Sequence, residues 1–327
     1  MKKIIILILS SLFFIVSLDA LAQKELSFTK IKKFGKNRGN LKMFVHHKNL
    51  PDTGKVPLVV VLHGCNQKAA GVAALTGWNK LAGINDFVVL YPQQRNINNP
   101  NLCFNWFKKR DIRKNKGECA SIMQMINYCL KNYPIDTNNI FITGVSAGAA
   151  MSVAMMATYP DVFKMGAVFA GGAYRLGTNP VGAFRVMLGR KNKTVEKLTK
   201  NVRKQNPGYE GKYPPLIIYQ GQSDPVVAPR NAHILAAQWA GLFQADTTNH
   251  YSENAYMGID DITRREYHDT SGNMYMVMYL IEKLGHRVLV KPGDDDNEGG
   301  RTGLYGADKG FHSTYQTAKE FGIIKLQ

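Results

Sequence analysis

Apolar and polar positions divide the chain into short segments of two periods. Residues 41–48 alternate, the period-two signature of a strand with one covered face. Residues 57–63 read Pro-Leu-Val-Val-Val-Leu-His, a nearly continuous apolar run of the kind a strand covered on both faces requires. Runs of the same kind recur at 86–91, 140–143, 164–170 and 215–220. Between them, apolar residues fall at helical spacing over 71–83, over 118–132 (Ile122, Met125, Ile126, Cys129), from 147 to about 159, and over 231–242. Residues 262–268 and 273–281 flank Asp269-Thr270-Ser271-Gly272 and read as a hairpin; a helix over 311–321 closes the chain. Strands alternating with helices predict an α/β fold, a mainly parallel central sheet with helices on both faces. Residues 173–212 break that rhythm with glycines, a short basic amphipathic segment and Pro207-Gly208, and are expected to cross the strand ends as a small basic cap. No repeat or linker interrupts the pattern, so residues 23–327 form one expected domain.

The first residues belong to a different pattern. Lys2 and Lys3 precede an apolar run over 4–18, and Ala20-Leu21-Ala22 supplies small residues at minus three and minus one. This is the layout of a signal peptide over 1–22. The run falls short of the roughly 20 residues a membrane-spanning helix needs, and no cysteine follows the cleavage point to carry a lipid. A secreted protein, extracellular or periplasmic, without a transmembrane anchor after cleavage is expected.

Export permits disulfides. Of the four cysteines, Cys65 and Cys103 fall in loops after neighbouring strands and are the expected pair. Cys119 and Cys129 lie ten residues apart on one helix, roughly 15 Å along its axis, too far to bond each other. The formal charge of +18 is concentrated at 108–116 and 185–204. Neither cluster carries a nucleic-acid motif, so no nucleic-acid partner is expected. A solvated basic face accounts for the charge; electrostatic contact with anionic polysaccharide or a membrane surface is the functional alternative.

Chemistry concentrates at Gly144-Val145-Ser146-Ala147-Gly148, where the run 140–143 turns at once into a small-residue helix. Strand, sharp turn and helix with one hydroxyl at the corner make a nucleophile elbow. A serine nucleophile needs a base, a group to orient that base, and donors for the oxyanion. In a parallel sheet these gather in loops at the carboxyl ends of strands. Asp224 follows the strand 215–220 through Gly221-Gln222-Ser223, and His286 follows the last strand through Lys283-Leu284-Gly285. Ser146, Asp224, His286 is therefore the expected catalytic set, in the chain order of the α/β-hydrolases. His46, His47, His233, His250, His268 and His312 fall in strands, helices or polar loops with ordinary structural roles, and His63 is placed to hold backbone beside the oxyanion loop. The amides of Ala147, at the helix start, and Cys65, in the loop after 57–63, are the expected oxyanion donors. Trp106 is either a substrate platform or packing under its loop. Asp294-Asp295-Asp296-Asn297-Glu298 lacks the spacing of a calcium loop and reads as a solvated turn. No metal or cofactor is called for.

Several stretches together resemble one family. Leu62-His63-Gly64-Cys65-Asn66-Gln67, Val89-Leu90-Tyr91-Pro92, Cys103 with Asn105-Trp106-Phe107, the elbow, and Thr158-Tyr159-Pro160-Asp161 look like the esterases of the poly(3-hydroxybutyrate) depolymerase family. Gly221 with Ser223-Asp224 and Val226-Val227, Gly285-His286, and Lys309-Gly310-Phe311 through Phe321-Gly322 extend the likeness over nearly the whole chain after residue 22. The resemblance implies an α/β-hydrolase fold, Ser146 as nucleophile, Asp224 as orienter, His286 as base, and Cys65 and Ala147 as oxyanion donors. It implies an exported serine esterase, polyhydroxyalkanoate depolymerase-like, acting on a polymeric or small ester. Related carbohydrate esterases that remove feruloyl or acetyl groups from plant xylan share these motifs. A peptidase on the same three residues and an inactive glycan-binding homologue are the more distant readings. Arg287, where the family usually has a small residue, and the basic stretch 185–204 depart from the pattern and bear on substrate more than on reaction.

Overall fold

The apolar run expected to be covered on both faces is strand β3 (Val56–Leu62), in which every residue but Pro57 is buried. Its side chains alternate between two cores. Leu58, Val60 and Leu62 enter one cluster and Val59 and Val61 the other, because successive Cβ atoms leave a strand on opposite faces. A sheet that buries both faces needs helices on both sides, and the helical segments supply them.

The computed structural model describes residues 28–48 and 50–325; the expected signal peptide lies outside them. Besides β3, the main sheet contains β1 (Thr29–Ile31), β2 (Lys42–His46), β4 (Val88–Gln93), β5 (Ile135–Val145) and β6 (Met165–Phe169). It continues with β7 (Leu216–Gly221), β8 (Tyr251–Glu253), β9 (Ile262–His268) and β10 (Met274–Ile281). These ten strands lie in the order β1-β2-β4-β3-β5-β6-β7-β10-β9-β8. From β4 to β10 the neighbours are parallel, and antiparallel pairs close both edges. β11 (Val288–Val290) and β12 (Gly306–Asp308) form a separate parallel pair.

Helices α1 (Ala69–Thr76), α2 (Trp78–Asn85) and α8 (Ser313–Glu320) pack on the face that holds Val59 and Val61. Helices α3 (Gly117–Asn132), α4 (Ala147–Thr158), α6 (Val195–Arg203) and α7 (Arg230–Leu242) pack on the other; α5 (Pro180–Met187) adds Val186 to that core. On the first face Phe321 stacks on Phe141 with centroids 4.5 Å apart and on Trp78 at 6.3 Å. Such ring pairs contribute about 0.5–1.5 kcal/mol beyond the area they bury, and they fix the tail helix to the sheet.

The observed elements follow the sequence pattern with a few physical exceptions. The helical run expected over 71–83 is two helices, α1 and α2, because Gly77 adopts a left-handed conformation (φ 76°) between them. A side chain there would meet the Gly300 amide at 2.7 Å, so the break is set by a contact more than two hundred residues away. Strands β1, β8, β11 and β12 were not foreseen: three residues each are too few to display a period. His312 stands just before the tail helix instead of within it, its side chain turned to Thr76 O.

Residues 173–212 carry α5 and α6. Leu198 and Val202 of α6 are buried in the core, while Lys200, Arg203, Lys204 and Lys212 line a cavity of about 1000 Å³ near the amino ends of β7 and β10. No described helix is long and apolar enough to cross a membrane.

Candidate active site

Ser146 sits where β5 turns into α4, at φ 55° and ψ −115°. Positive φ costs a non-glycine residue on the order of 1–3 kcal/mol, and the surroundings hold it there. Ser146 N donates to Phe169 O at 2.8 Å, tying the turn to the end of β6. A Cβ on Gly148 would lie 2.3 Å from Leu62 O, and one on Gly144 would lie 2.5 Å from Gly148 C. Only glycine lets helix, strand and the end of β3 pass this closely. The amide of Ala147 is the first of α4, and such amides have no partner within the helix.

The loop after β3 stands opposite. A Cβ placed on Gly64 would lie 3.7 Å from Ser146 Cβ. Gly64 N donates to Gln67 Oε1 at 2.8 Å and Asn66 N to Asn101 O at 2.7 Å; between them, Cys65 N has no protein acceptor among the described residues. Cys65 is bonded to Cys103, as the loop positions led one to expect, and Cys119 and Cys129 are free and buried. His63 is wholly buried: its Nε2 accepts from Gln94 N at 3.0 Å and its Nδ1 faces Gly64 O at 2.7 Å. That pairing fixes the proton on Nδ1. Burial lowers the His63 pKa to about 4, against a smaller opposing effect of the Gly64 carbonyl, so the ring is neutral at pH 7. It holds backbone, as expected.

Asp224 and His286 meet. Asp224 Oδ2 accepts from His286 Nδ1 at 2.7 Å, while Oδ1 accepts from the amides of Val226 and Val227, each at 2.8 Å. The Asp224 side chain is fully buried and that of His286 is 14% exposed, so the ring is held from behind and open in front. With Nδ1 engaged, Nε2 has no hydrogen-bond partner among the described residues. The His286 loop reaches the Ser146 side of the sheet, since Leu284 and Arg287 line one small cavity with Phe169 and Ala170. Ser146 Oγ has no protein hydrogen-bond partner among the described residues; free sites commonly leave this bond unmade until substrate arrives. Trp106 is half-buried, packed partly on the core and edge-on to Phe107 at 5.6 Å.

One group escaped the sequence reading. Glu118, one residue into α3, is buried and accepts from Gln94 Nε2 (2.6 Å), Asn105 N (2.8 Å) and Asn105 Nδ2 (2.6 Å). Gln94 Nε2 also donates to Cys103 O at 3.1 Å, so this carboxyl braces the loop that carries the disulfide to Cys65. Burial, with Asp111 nearby, raises its pKa to about 8. A signal was present: Glu118 shares the apolar stripe of Ile122, Met125 and Cys129 at helical spacing, where an acid needs partners.

A parallel sheet with a serine on a strained strand–helix turn, and an acid–histidine pair in later loops at the same edge, defines the α/β-hydrolase class. The family model described as Esterase PHB depolymerase matches residues 49–252. The chain is 38% identical to poly(3-hydroxyalkanoate) depolymerase C of Paucimonas lemoignei over 299 residues, 91% of this chain and 70% of that protein. It is 30% identical to a probable acetylxylan esterase A of Aspergillus clavatus, covering 85% of this chain and 89% of that one. Among solved structures, an acetyl xylan esterase from Aspergillus awamori superposes with a TM-score of 0.72 at 24% identity, covering 80% of this chain and 94% of that one. The chain belongs to the PHB depolymerase family of esterases, which are carboxylic ester hydrolases.

Proposed function

We propose that the protein is an exported serine esterase that cleaves aliphatic polyesters of the polyhydroxyalkanoate type. The hydrogen bond from His286 Nδ1 to Asp224 carries this reading, because it leaves Nε2 free to take a proton at the carboxyl edge where Ser146 is held. Ser146 Oγ attacks the ester carbonyl as Nε2 accepts its proton. The tetrahedral oxyanion is received by the amides of Cys65 and Ala147, each such donor being worth about 3–4 kcal/mol in the transition state. Nε2 then protonates the departing alcohol, leaving an acyl-serine. Water, deprotonated by the same nitrogen, releases the carboxylic acid and restores the serine. Asp224 keeps the ring in the required tautomer throughout. The amino-terminal pattern of residues 1–22 supports export.

The greater identity to a poly(3-hydroxyalkanoate) depolymerase favours polyester. The likeness to a probable acetylxylan esterase over most of both chains supports a second reading, deacetylation of xylan. Turnover on 3-hydroxybutyrate oligomers, acetyl-xylan and feruloyl-xylan separates them, with Ser146→Ala as control. The oligomers are expected to give the highest kcat/KM, and Ser146→Ala to lose about 10⁴–10⁶ in kcat. Faster turnover of either xylan would overturn the substrate assignment; one tenth of normal activity in Ser146→Ala would overturn the mechanism.

A further inference from the structure

Beside the oxyanion loop lies a cavity of about 450 Å³ that the mechanism does not use. Its volume falls in the range that takes small ligands. One wall is the chain running on from Cys65, with Gln67, Lys68, Ala74 and Leu75; the other carries Arg301, Leu304 and Tyr305. Both walls are anchored to the reacting groups. Gln67 Oε1 and Ser146 Cβ each lie within 4 Å of the point where a Cβ on Gly64 would sit. The Tyr305 carbonyl accepts from Val288 N at 2.8 Å, two residues past His286. Arg301 N donates to Leu75 O at 3.2 Å and closes the walls on each other.

The lining is apolar below and charged with one sign. Ala74 and Leu75 present hydrocarbon, and Leu304 stands 75% exposed at the rim. Lys68 and Arg301 are both exposed, and no carboxylate lines the cavity. Neither cation has a side-chain hydrogen bond or ion pair among the described residues. An occupant that satisfies this arrangement is a short aliphatic chain ending in a carboxylate.

We propose that the cavity is a subsite for the carboxyl-terminal end of a linear hydroxyacid oligomer, a proposal that rests on the polyester reading above. The methyl and methylene groups of such a chain meet Ala74, Leu75 and Leu304, its terminal carboxylate meets Lys68 and Arg301, and the ester one or more units back lies beside Cys65 and Ser146. Neutral acetyl esters of xylan carry no charge of this kind. The enzyme then cuts near the acid end and releases short hydroxyacids.

The test is calorimetric titration of the Ser146→Ala protein with the linear 3-hydroxybutyrate trimer bearing a free carboxyl end, and with the same trimer capped as its primary amide. The acid is expected to bind about tenfold more tightly at low salt, as two exposed cations allow, with the advantage shrinking as salt rises. Lys68→Gln combined with Arg301→Gln is expected to bring the acid to the Kd of the amide. Equal affinities in the starting protein, no binding of either trimer, or a preference that survives the double substitution overturns the subsite. So does tighter binding of a uronic-acid xylo-oligosaccharide than of the trimer acid. Hydrolysis of the trimer is followed in parallel: if Ser146→Ala still cleaves it, the serine assignment fails, and the affinity comparison is judged separately.

Discussion

Asp224 divides its two oxygens between its own loop and the histidine, and that division determines what a single substitution there does. In Asp224→Asn the amide can keep one oxygen on the Val226 and Val227 amides, which places its NH₂ toward His286 Nδ1. The imidazole then turns to the tautomer that carries its proton on Nε2 and cannot accept one from Ser146. A loss of about 10⁴ in kcat is expected, with the thermal midpoint little changed; ester turnover and a melting curve on the same preparation check both halves. The turn at Ser146 and the pairing of Asp224 with His286 were legible in the sequence because each position is marked locally, by a glycine-flanked turn or by its place just past a strand. For Glu118 only its burial was legible, from its place on an apolar stripe; its partners Gln94 and Asn105 lie 24 and 13 residues away and no local rule joins them to it. The same physics made the disulfide legible, because two loops after adjacent parallel strands come together wherever the sheet forms.

Helix α3 braces the loop of Cys65, whose amide is a proposed oxyanion donor. Its Glu118 holds Gln94 and Asn105, Gln94 N holds His63, and the disulfide joins Cys103 to Cys65. Glu118→Gln replaces an acceptor of three N–H groups with a side chain that must turn its own NH₂ toward one of them. One buried donor left unpaired costs about 1–3 kcal/mol, and the strain falls on the loop that positions the Cys65 amide. A fall in kcat of about ten- to hundredfold is expected with KM nearly unchanged, because the proposed role of the amide is to receive the oxyanion of the transition state more than to hold bound ester. Steady-state kinetics on a small soluble ester measure both constants; a rise in KM at constant kcat would show that the brace serves binding instead. The order of strands and helices was legible from period alone, and what escaped was set at a distance. The break between α1 and α2 depends on Gly300 passing beside Gly77, and β11 pairs with β12 across an intervening loop that no pattern in either strand announces.

For the whole molecule, two buried groups set opposing slopes of stability against pH. His63 titrates near 4 in the folded protein and near ~6.5 unfolded, so its contribution is complete above ~6.5 and is lost as pH falls toward 4. Glu118 titrates near 8 when folded and near ~4.3 unfolded, so the folded state holds a proton that the unfolded state has released. Its contribution is complete below ~4.3 and is lost as pH rises through 8. Between ~4.3 and ~6.5 the two slopes oppose each other; from ~6.5 to 8 only that of Glu118 remains. The thermal midpoint is therefore expected to fall between pH 6.5 and 8, and this fall is expected to disappear in Glu118→Gln; an unaltered slope in that variant would show that Glu118 does not set it. Ser146 is expected to be the single nucleophile among the chain's hydroxyls. A fluorophosphonate probe, followed by intact-mass measurement and peptide mapping, reads this out. One adduct per chain on Ser146 is expected, abolished by Ser146→Ala and strongly slowed by His286→Ala. A protein that hydrolyses esters yet takes no label, or takes it on another residue, would contradict it.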